Sequence, residues 1–202
     1  MAVCSWDRPG LLMNIAGALS RAGLNILSAE VYTREDHLAL DIFEVRETAE
    51  HEESHEIRLR YAARLLAAAM AVPHTPGAAE LELPSDTQGA PVADEAAVVF
   101  DNESSADYTL LRVDARDHIG LLFHLLQDCV AAGVDVKQAT ILTSGARARD
   151  MFCITDADGR KIEDPERLAA LHELLCRAAS RSMDFDPGLW GIDPLNLIER
   201  QP

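Results

Sequence analysis

Basic residues are scarce in this chain of 202 residues, in which 18 lysines and arginines stand against 34 aspartates and glutamates, for a formal net charge of −16. Nucleic acids and anionic membrane surfaces are bound through basic patches, so a direct interaction with either is not expected. The chain also lacks an apolar run of about 18 residues, which is the length that spans a bilayer. It does not open with the basic and then apolar segments of a signal peptide. We therefore predict a cytoplasmic protein.

Patterns that hold metals are equally scarce. The four cysteines, at positions 4, 129, 153 and 176, lie far apart, which fits neither a disulfide framework nor a zinc site. The segment His51-Glu52-Glu53-Ser54-His55 matches the HExxH pattern of zinc peptidases, but that chemistry needs both histidines on one face of a rigid, buried helix. Because the segment is highly acidic and lies where the repeat places a surface connection, we interpret it as a solvated loop or the start of a helix. The sequence predicts no metal and no cofactor.

Signatures of catalysis are missing too. Asp184 and Asp186 resemble the paired aspartates that hold magnesium in nucleotidyltransferases, yet only a short tail follows them, with no room for a nucleotide-binding domain. No glycine-rich phosphate loop of the P-loop or dinucleotide type occurs, and no local motif supplies a set of serine, histidine and acid. We therefore expect that the chain is not an enzyme.

What the chain does contain is one pattern used twice, 110 residues apart. Three segments recur, namely a loop, the start of a strand and, after one residue of slippage, part of a later strand. The pairs are Asp7-Arg8-Pro9-Gly10-Leu11-Leu12 with Asp117-His118-Ile119-Gly120-Leu121-Leu122, Gly23-Leu24-Asn25-Ile26 with Gly133-Val134-Asp135-Val136, and Asp41-Ile42-Phe43 with Asp150-Met151-Phe152. Such self-similarity indicates the same fold used twice, with the same loop presented twice.

Each copy is predicted to run strand, helix, strand, strand, helix, from the spacing of its apolar residues. In the first helix Asp7 is expected to accept from the open amides, Pro9 to occupy the first turn and Gly23 to end the helix. This order gives an α+β fold, a two-layer sandwich of antiparallel strands with both helices on one face. Pairing the two small sheets edge to edge, within or between chains, would protect their edge strands.

The predicted organisation is two small domains and two connecting segments. The first domain covers residues 1–73, and a further strand at 96–101 is expected to complete its sheet. Residues 74–95, which are rich in proline, glycine, alanine and acid, are predicted to be a linker. The second domain covers 104–181, and 182–202 forms a C-terminal tail.

The strand, the Asp-Arg-Pro-Gly-Leu-Leu loop, the helix, Gly-Leu-Asn-Ile and the hairpin resemble the ACT domain, a small-molecule sensing module. Val99-Phe100-Asp101-Asn102 ahead of the second loop is similar to the paired ACT domains at the C-terminal end of PII uridylyltransferases, which are bifunctional nitrogen sensors. The resemblance implies two ferredoxin-like βαββαβ domains. Two departures stand out. His118-Ile119 replaces the family's usual Arg-Pro, and the family's upstream nucleotidyltransferase and HD hydrolase domains are absent from this sequence.

A strand-to-helix turn at Gly10 or Gly120 exposes amides at the positive end of a helix, where the dipole alone stabilises a carboxylate by about 0.3–1 kcal/mol. Asp7, Asp117 or strand carbonyls are plausible partners for the ammonium group of an amino acid. The alternative is a simple helix cap in which glycine serves close packing. By the resemblance, the predicted ligand-binding residues are Asp7, Arg8, Pro9, Gly10, Leu11, Leu12, Asn25, Ile26, Asp117, His118, Ile119, Gly120, Leu121, Leu122, Asp135 and Val136.

The resemblance implies a regulatory module that senses a small amino acid, with glutamine favoured, in the control of nitrogen metabolism. A homodimer and a PII-type or enzyme partner are expected, and the chain is either the detached sensory end of such an enzyme or a free-standing relative. Two alternatives stay open. One is a two-domain regulator that resembles the glycine-cleavage repressor accessory proteins, and the other is a dimerisation module whose loops bind nothing.

Overall fold

The computed structural model describes residues 1–34, 36–47, 55–71 and 96–181. These residues form seven strands and four helices, and both copies follow the predicted order of strand, helix, strand, strand, helix. The elements are β1 (Ala2–Trp6), α1 (Leu11–Arg21), β2 (Leu24–Thr33), β3 (Leu38–Glu47), α2 (His55–Ala71), β4 (Ala97–Asp101), β5 (Thr109–Arg116), α3 (Leu121–Ala131), β6 (Val134–Ser144), β7 (Arg147–Asp156) and α4 (Pro165–Ala179).

Several predicted segments lie outside the described residues. They are the linker at 74–95, the tail at 182–202 with its two aspartates, and the first four residues of the HExxH match, whose last residue, His55, begins α2. Within the part of the chain that the structure describes, no helix is both long enough and apolar enough to cross a membrane.

The seven strands form one antiparallel sheet in the order β1-β3-β2-β6-β7-β5-β4. The two copies join at its centre, where β2 pairs with β6 from Ser28 opposite Leu142 to Tyr32 opposite Gln138. The predicted edge-to-edge pairing of two small sheets is therefore confirmed, and it occurs within one chain. The helices α1 and α3 also meet, and a Cβ added at Gly17 would lie only 2.9 Å from the ring of Phe123.

The expected position of the strand at 96–101 was wrong. This strand, β4, pairs with β5 at the far edge of the sheet, beside the second copy. Val98 is buried there, and the side chain of Asn102 holds the end of the strand in place, since it donates to the carbonyl oxygen of Ile162 at 2.9 Å and accepts from the hydroxyl of Thr109 at 2.7 Å. The second copy thus takes its edge strand from the chain that precedes it.

The two repeated loops end in glycines with positive φ. Gly10 has φ 77° and Gly120 has φ 85°, and each lies directly before a helix without a side-chain cap. Glycine adopts this conformation without the steric cost that a Cβ atom brings. The expectation that Asp7 caps α1 and that Pro9 occupies its first turn was therefore wrong, because the chain makes a tight turn first and the helix begins at residue 11.

Candidate functional site

Both repeated loops lie where the two copies meet, and each faces the other copy. The loop at 7–12 lies beside Asp135 and Val136 of the second copy, whereas the loop at 117–122 lies beside Asn25 and Ile26 of the first. This crossing follows from the antiparallel pairing of β2 and β6, which brings the start of each strand to the other copy's loop. The sequence alone could not show which loop each strand start would face.

The loop at 7–12 opens into a cavity of about 460 Å³, which we call the first cavity. Sites for small molecules in proteins are about 300–1,000 Å³, so its size suits a small ligand. Its wall combines apolar side chains with a few carboxylates and the glycine turn that precedes α1. The lining residues are Asp7, Arg8, Pro9, Gly10, Leu11, Leu12, Met13, Val31, Thr33, Ala39 and Asp41 from the first copy and Leu126, Val130, Gly133, Val134, Asp135, Val136 and Ala157 from the second.

The loop at 117–122 surrounds a second cavity of only about 10 Å³. A cavity of about 10–15 Å³ holds a single water molecule, so an amino acid does not fit. The amide of Asn25 donates to the carboxylate of Asp117 at 2.8 Å, which joins the loop to the start of β2 in the other copy. Of the predicted residues of this loop, Asp117, His118, Gly120, Leu121 and Leu122 line the cavity.

Two side chains predicted to bind ligand make polar contacts with the ends of helices. The guanidinium of Arg8 donates to the carbonyl oxygens of Ala69 at 3.1 Å and Met70 at 2.8 Å, in the last turn of α2. Nε2 of His118 lies 2.6 Å from the carbonyl oxygen of Arg181, just beyond α4. The positive charge of Arg8 is favourable beside the carbonyls of a helix C-terminus. Each loop is therefore tied to the second helix of its own copy.

Carboxylates dominate the charge around the first cavity. The pKa of Asp7 is raised above its usual value, chiefly by burial and next by the nearby charge of Asp135. Asp135 itself forms an ion pair with Lys137, with 2.5 Å between Nζ and Oδ2. Burial, and then the charge of Asp7, raises the pKa of Asp41 to about 7. Such an acidic cavity favours a ligand that carries a positive group.

One buried aspartate in the last strand of each copy, Asp41 in β3 and Asp150 in β7, was not predicted as a site residue. Asp41 and Asp150 are counterparts in the repeat, and Asp150 lines the second cavity as Asp41 lines the first. Burial raises the pKa of Asp150 to about 7 as well. The signal was present in the sequence, because strand residues two apart share a face, and each aspartate stands two before a phenylalanine of the core, Phe43 or Phe152.

Comparison with known proteins assigns both copies to the same class of domain. The sequence profile of the ACT domain matches residues 2–60, and that of the ACR9-like, ACT-like domain matches residues 97–184. The second match begins with the first residue of β4, in agreement with the place of that strand in the second copy.

Several bifunctional uridylyltransferase/uridylyl-removing enzymes are similar to this chain. The enzyme of Phenylobacterium zucineum is 36% identical over 90% of the chain and 20% of its own length, and that of Gluconobacter oxydans is 35% identical over 87% of the chain and 19% of its own length. The chain thus spans about a fifth of the length of these relatives, and it corresponds to their C-terminal ACT region. A crystal structure of aspartate kinase from Synechocystis covers 91% of the chain and 27% of its own, with a TM-score of 0.47 and 16% identity.

Proposed function

Because this chain is a tandem ACT-domain protein, we propose that it is a regulatory module that binds one free amino acid in the first cavity. The observation that carries the proposal is the first cavity itself, which has about 460 Å³ and is built from both copies at the N-terminal end of α1. A ligand held there contacts both halves of the molecule.

The chemistry of the first cavity suits both charges of an amino acid. Helix α1 begins directly after the glycine turn at Gly10. The backbone amides at this positive end of the helix can stabilise the carboxylate of a ligand. The aspartates of the wall supply negative charge for the ammonium group. Glutamine is the first candidate ligand, by the resemblance to uridylyltransferases that control nitrogen metabolism.

A bound ligand acts through the contacts between elements. Ligand binding shifts an equilibrium only by its differential affinity for two arrangements, so an interface must differ between the free and bound states. Two interfaces adjoin the first cavity, namely the junction of the copies and the attachment of Arg8 to the end of α2. We propose that occupancy changes these contacts and is passed to a PII-type protein or an enzyme in the cytoplasm.

A specific observation favours a second role as a dimerisation module. The face of the sheet opposite the helices exposes large apolar side chains, among them Tyr32 at 53%, Ile42 at 45% and Leu142 at 53% exposure. An apolar patch of this kind is typical of protein–protein contacts. A homodimer formed through this face is compatible with ligand binding at the first cavity, and both roles can coexist.

A thermal-shift screen against the twenty amino acids, followed by calorimetry of L-glutamine, tests the proposal. A ligand at a hundredfold excess over Kd adds about 2.7 kcal/mol, which is several degrees for a chain of this size. We expect a selective shift and a stoichiometry near one ligand per chain. No shift with any amino acid at millimolar concentration would overturn the proposal, and light scattering would then show whether the chain is only a dimerisation module.

A further inference from the structure

One buried carboxyl group in the wall of the first cavity has an oxygen without a partner. Asp41 is 2% exposed, and its Oδ1 has no hydrogen-bond partner among the residues that the structure describes. Burying a polar group without a hydrogen bond costs free energy, and a buried charge costs much more unless it is paired. An unpartnered carboxyl oxygen beside a cavity of about 460 Å³ is a contact that a polar group of a bound ligand could make.

The neighbours of Asp41 do not supply that partner. The strand residues on either side are Val3 in β1 and Val31 in β2. The cations beside the cavity are engaged elsewhere, since Arg8 donates to the carbonyls of α2 and Lys137 pairs with Asp135. The charge that acts on Asp41 from the loop is that of Asp7, which has the same sign.

We propose that Asp41 accepts the ammonium group of the amino acid in the first cavity, a role that rests on the function proposed above. The ligand's carboxylate then lies at the amides of α1, and its ammonium lies at the buried end of the cavity against β3. Asp150 provides an internal control for Asp41. It occupies the matched position in the second cavity, and its Oδ1 is also unpartnered among the described residues. With about 10 Å³ beside it, Asp150 receives no amino acid.

This arrangement couples ligand binding to the release of a proton. Since the pKa of Asp41 is about 7, the group is partly protonated in the free protein near neutral pH. An ammonium group binds the carboxylate form, so the proton passes from Asp41 to the solvent as the ion pair forms, and affinity rises with pH between about 6 and 8. The other charges around the group are Asp7, Arg8, Asp135 and Lys137, and His37 acts on Asp7 from the turn that follows β2.

Calorimetry of two ligands with three proteins tests this role. L-glutamine is compared with 4-carbamoylbutanoate, which is glutamine without its α-amino group, in the wild type, Asp41→Asn and Asp150→Asn. We expect Asp41→Asn to weaken glutamine by about 30-fold or more, the usual effect of removing one partner of a buried charge pair. Asp150→Asn should bind glutamine as the wild type does. The analogue should bind the wild type and Asp41→Asn equally weakly.

A second measurement does not depend on any variant. Calorimetry of the wild type at pH 7 in phosphate and in Tris buffer reports the protons released on binding, and we expect about half a proton per glutamine. If glutamine binds without proton release, or binds Asp41→Asn as tightly as the wild type, the role of Asp41 is wrong while the proposed function stands. If no amino acid binds the wild type, both fail together. Should another amino acid give the larger thermal shift, it and its deaminated analogue replace the pair.

Discussion

The two copies of the ACT-type fold share a loop and a buried aspartate but differ in the space beside them. The first cavity has about 460 Å³ and the second about 10 Å³. The residue that each strand start brings to the other copy's loop also differs. Asn25 donates to Asp117 beside the second cavity, and we infer that this contact helps to close it. Asp135 pairs with its own neighbour Lys137 and acts on Asp7 only as a like charge.

This comparison shows how a duplicated domain can keep its fold while its two sites diverge. In the second cavity an amide, Asn25, faces a carboxylate, and the two form a hydrogen bond across the junction. In the first cavity two carboxylates, Asp7 and Asp135, repel each other, and side chains that stay apart leave room for a ligand. Conversion of one site into a closed contact leaves the buried Asp150 in place, since its position is set by the sheet. The difference between the copies can be tested directly.

The largest expected effect is a loss of glutamine binding on substitution of one loop glycine, Gly10, and not of the other, Gly120. Gly10→Val and Gly120→Val both force a β-branched residue to positive φ, so each should lower the free energy of unfolding by a similar amount, about 1–3 kcal/mol. Only Gly10→Val should abolish glutamine binding, because it alters the turn that lines the first cavity. Urea unfolding and calorimetry on both proteins provide the measurement. Equal loss of binding in the two variants would contradict the assignment of a single site.

The next effect concerns the residues that open and close the cavities. The double variant Asn25→Asp/Leu27→Lys gives the first copy the acid and the lysine that Asp135 and Lys137 supply in the second. Loss of the amide bond to Asp117 should cost about 1–3 kcal/mol and open the second cavity. We expect the calorimetric stoichiometry to rise from one toward two.

The control is Leu27→Lys alone, which keeps the bond between Asn25 and Asp117 and should stay at one ligand per chain. A stoichiometry of one in the double variant would show that more than this hydrogen bond closes the second cavity. The reverse change, Asp135→Asn, replaces the like charge opposite Asp7 with an amide. Because an amide can donate to Asp7 as Asn25 donates to Asp117, this variant should weaken glutamine binding at the first cavity.

Much of the architecture was predictable because it depends on local sequence patterns. Apolar spacing and glycines fix the helices and strands, and the repeat of Asp7–Leu12 at Asp117–Leu122 indicates two copies of one fold. The place of β4 was not predictable in this way. A short strand between two domains can join either sheet, and the choice is made by long-range contacts such as those of Asn102 with Ile162 and Thr109.

The repeated loops were predictable from the sequence, whereas the cavities beside them were not. The loops contain the predicted residues, but the partner of each loop depends on the pairing of β2 with β6, which brings together residues more than 100 positions apart. Asp41 and Asp150 were not among the predicted site residues because they lie in strands outside the repeated loops, although a charge at a buried strand position is itself a signal of function.

The last expected effect, which does not distinguish the two copies in the free protein, is a dependence of stability on pH that they share. Burial raises the pKa of both Asp41 and Asp150 to about 7, so in the folded state both groups hold protons that the unfolded chain has already lost. Their contribution to stability is fully present below the ordinary aspartate pKa of about 4 and is lost as the pH rises to about 7. Each group should add a slope of roughly 1 kcal/mol per pH unit or less in that window.

Urea unfolding of the wild type, Asp41→Asn and Asp150→Asn at several values between pH 5 and pH 8 measures this slope. Each variant should flatten it by a similar amount, because an amide carries no titrating proton and the rest of the charge is unchanged. The contributions of the two aspartates to the pH dependence of stability should differ once saturating glutamine is added. The ammonium group keeps Asp41 ionised, whereas the protonation of Asp150 is unchanged. Glutamine should therefore stabilise the wild type more at pH 8 than at pH 6, and Asp150→Asn should keep that difference while Asp41→Asn loses it. If Asp150→Asn loses it instead, the ligand lies in the second cavity and the order of the two sites is reversed.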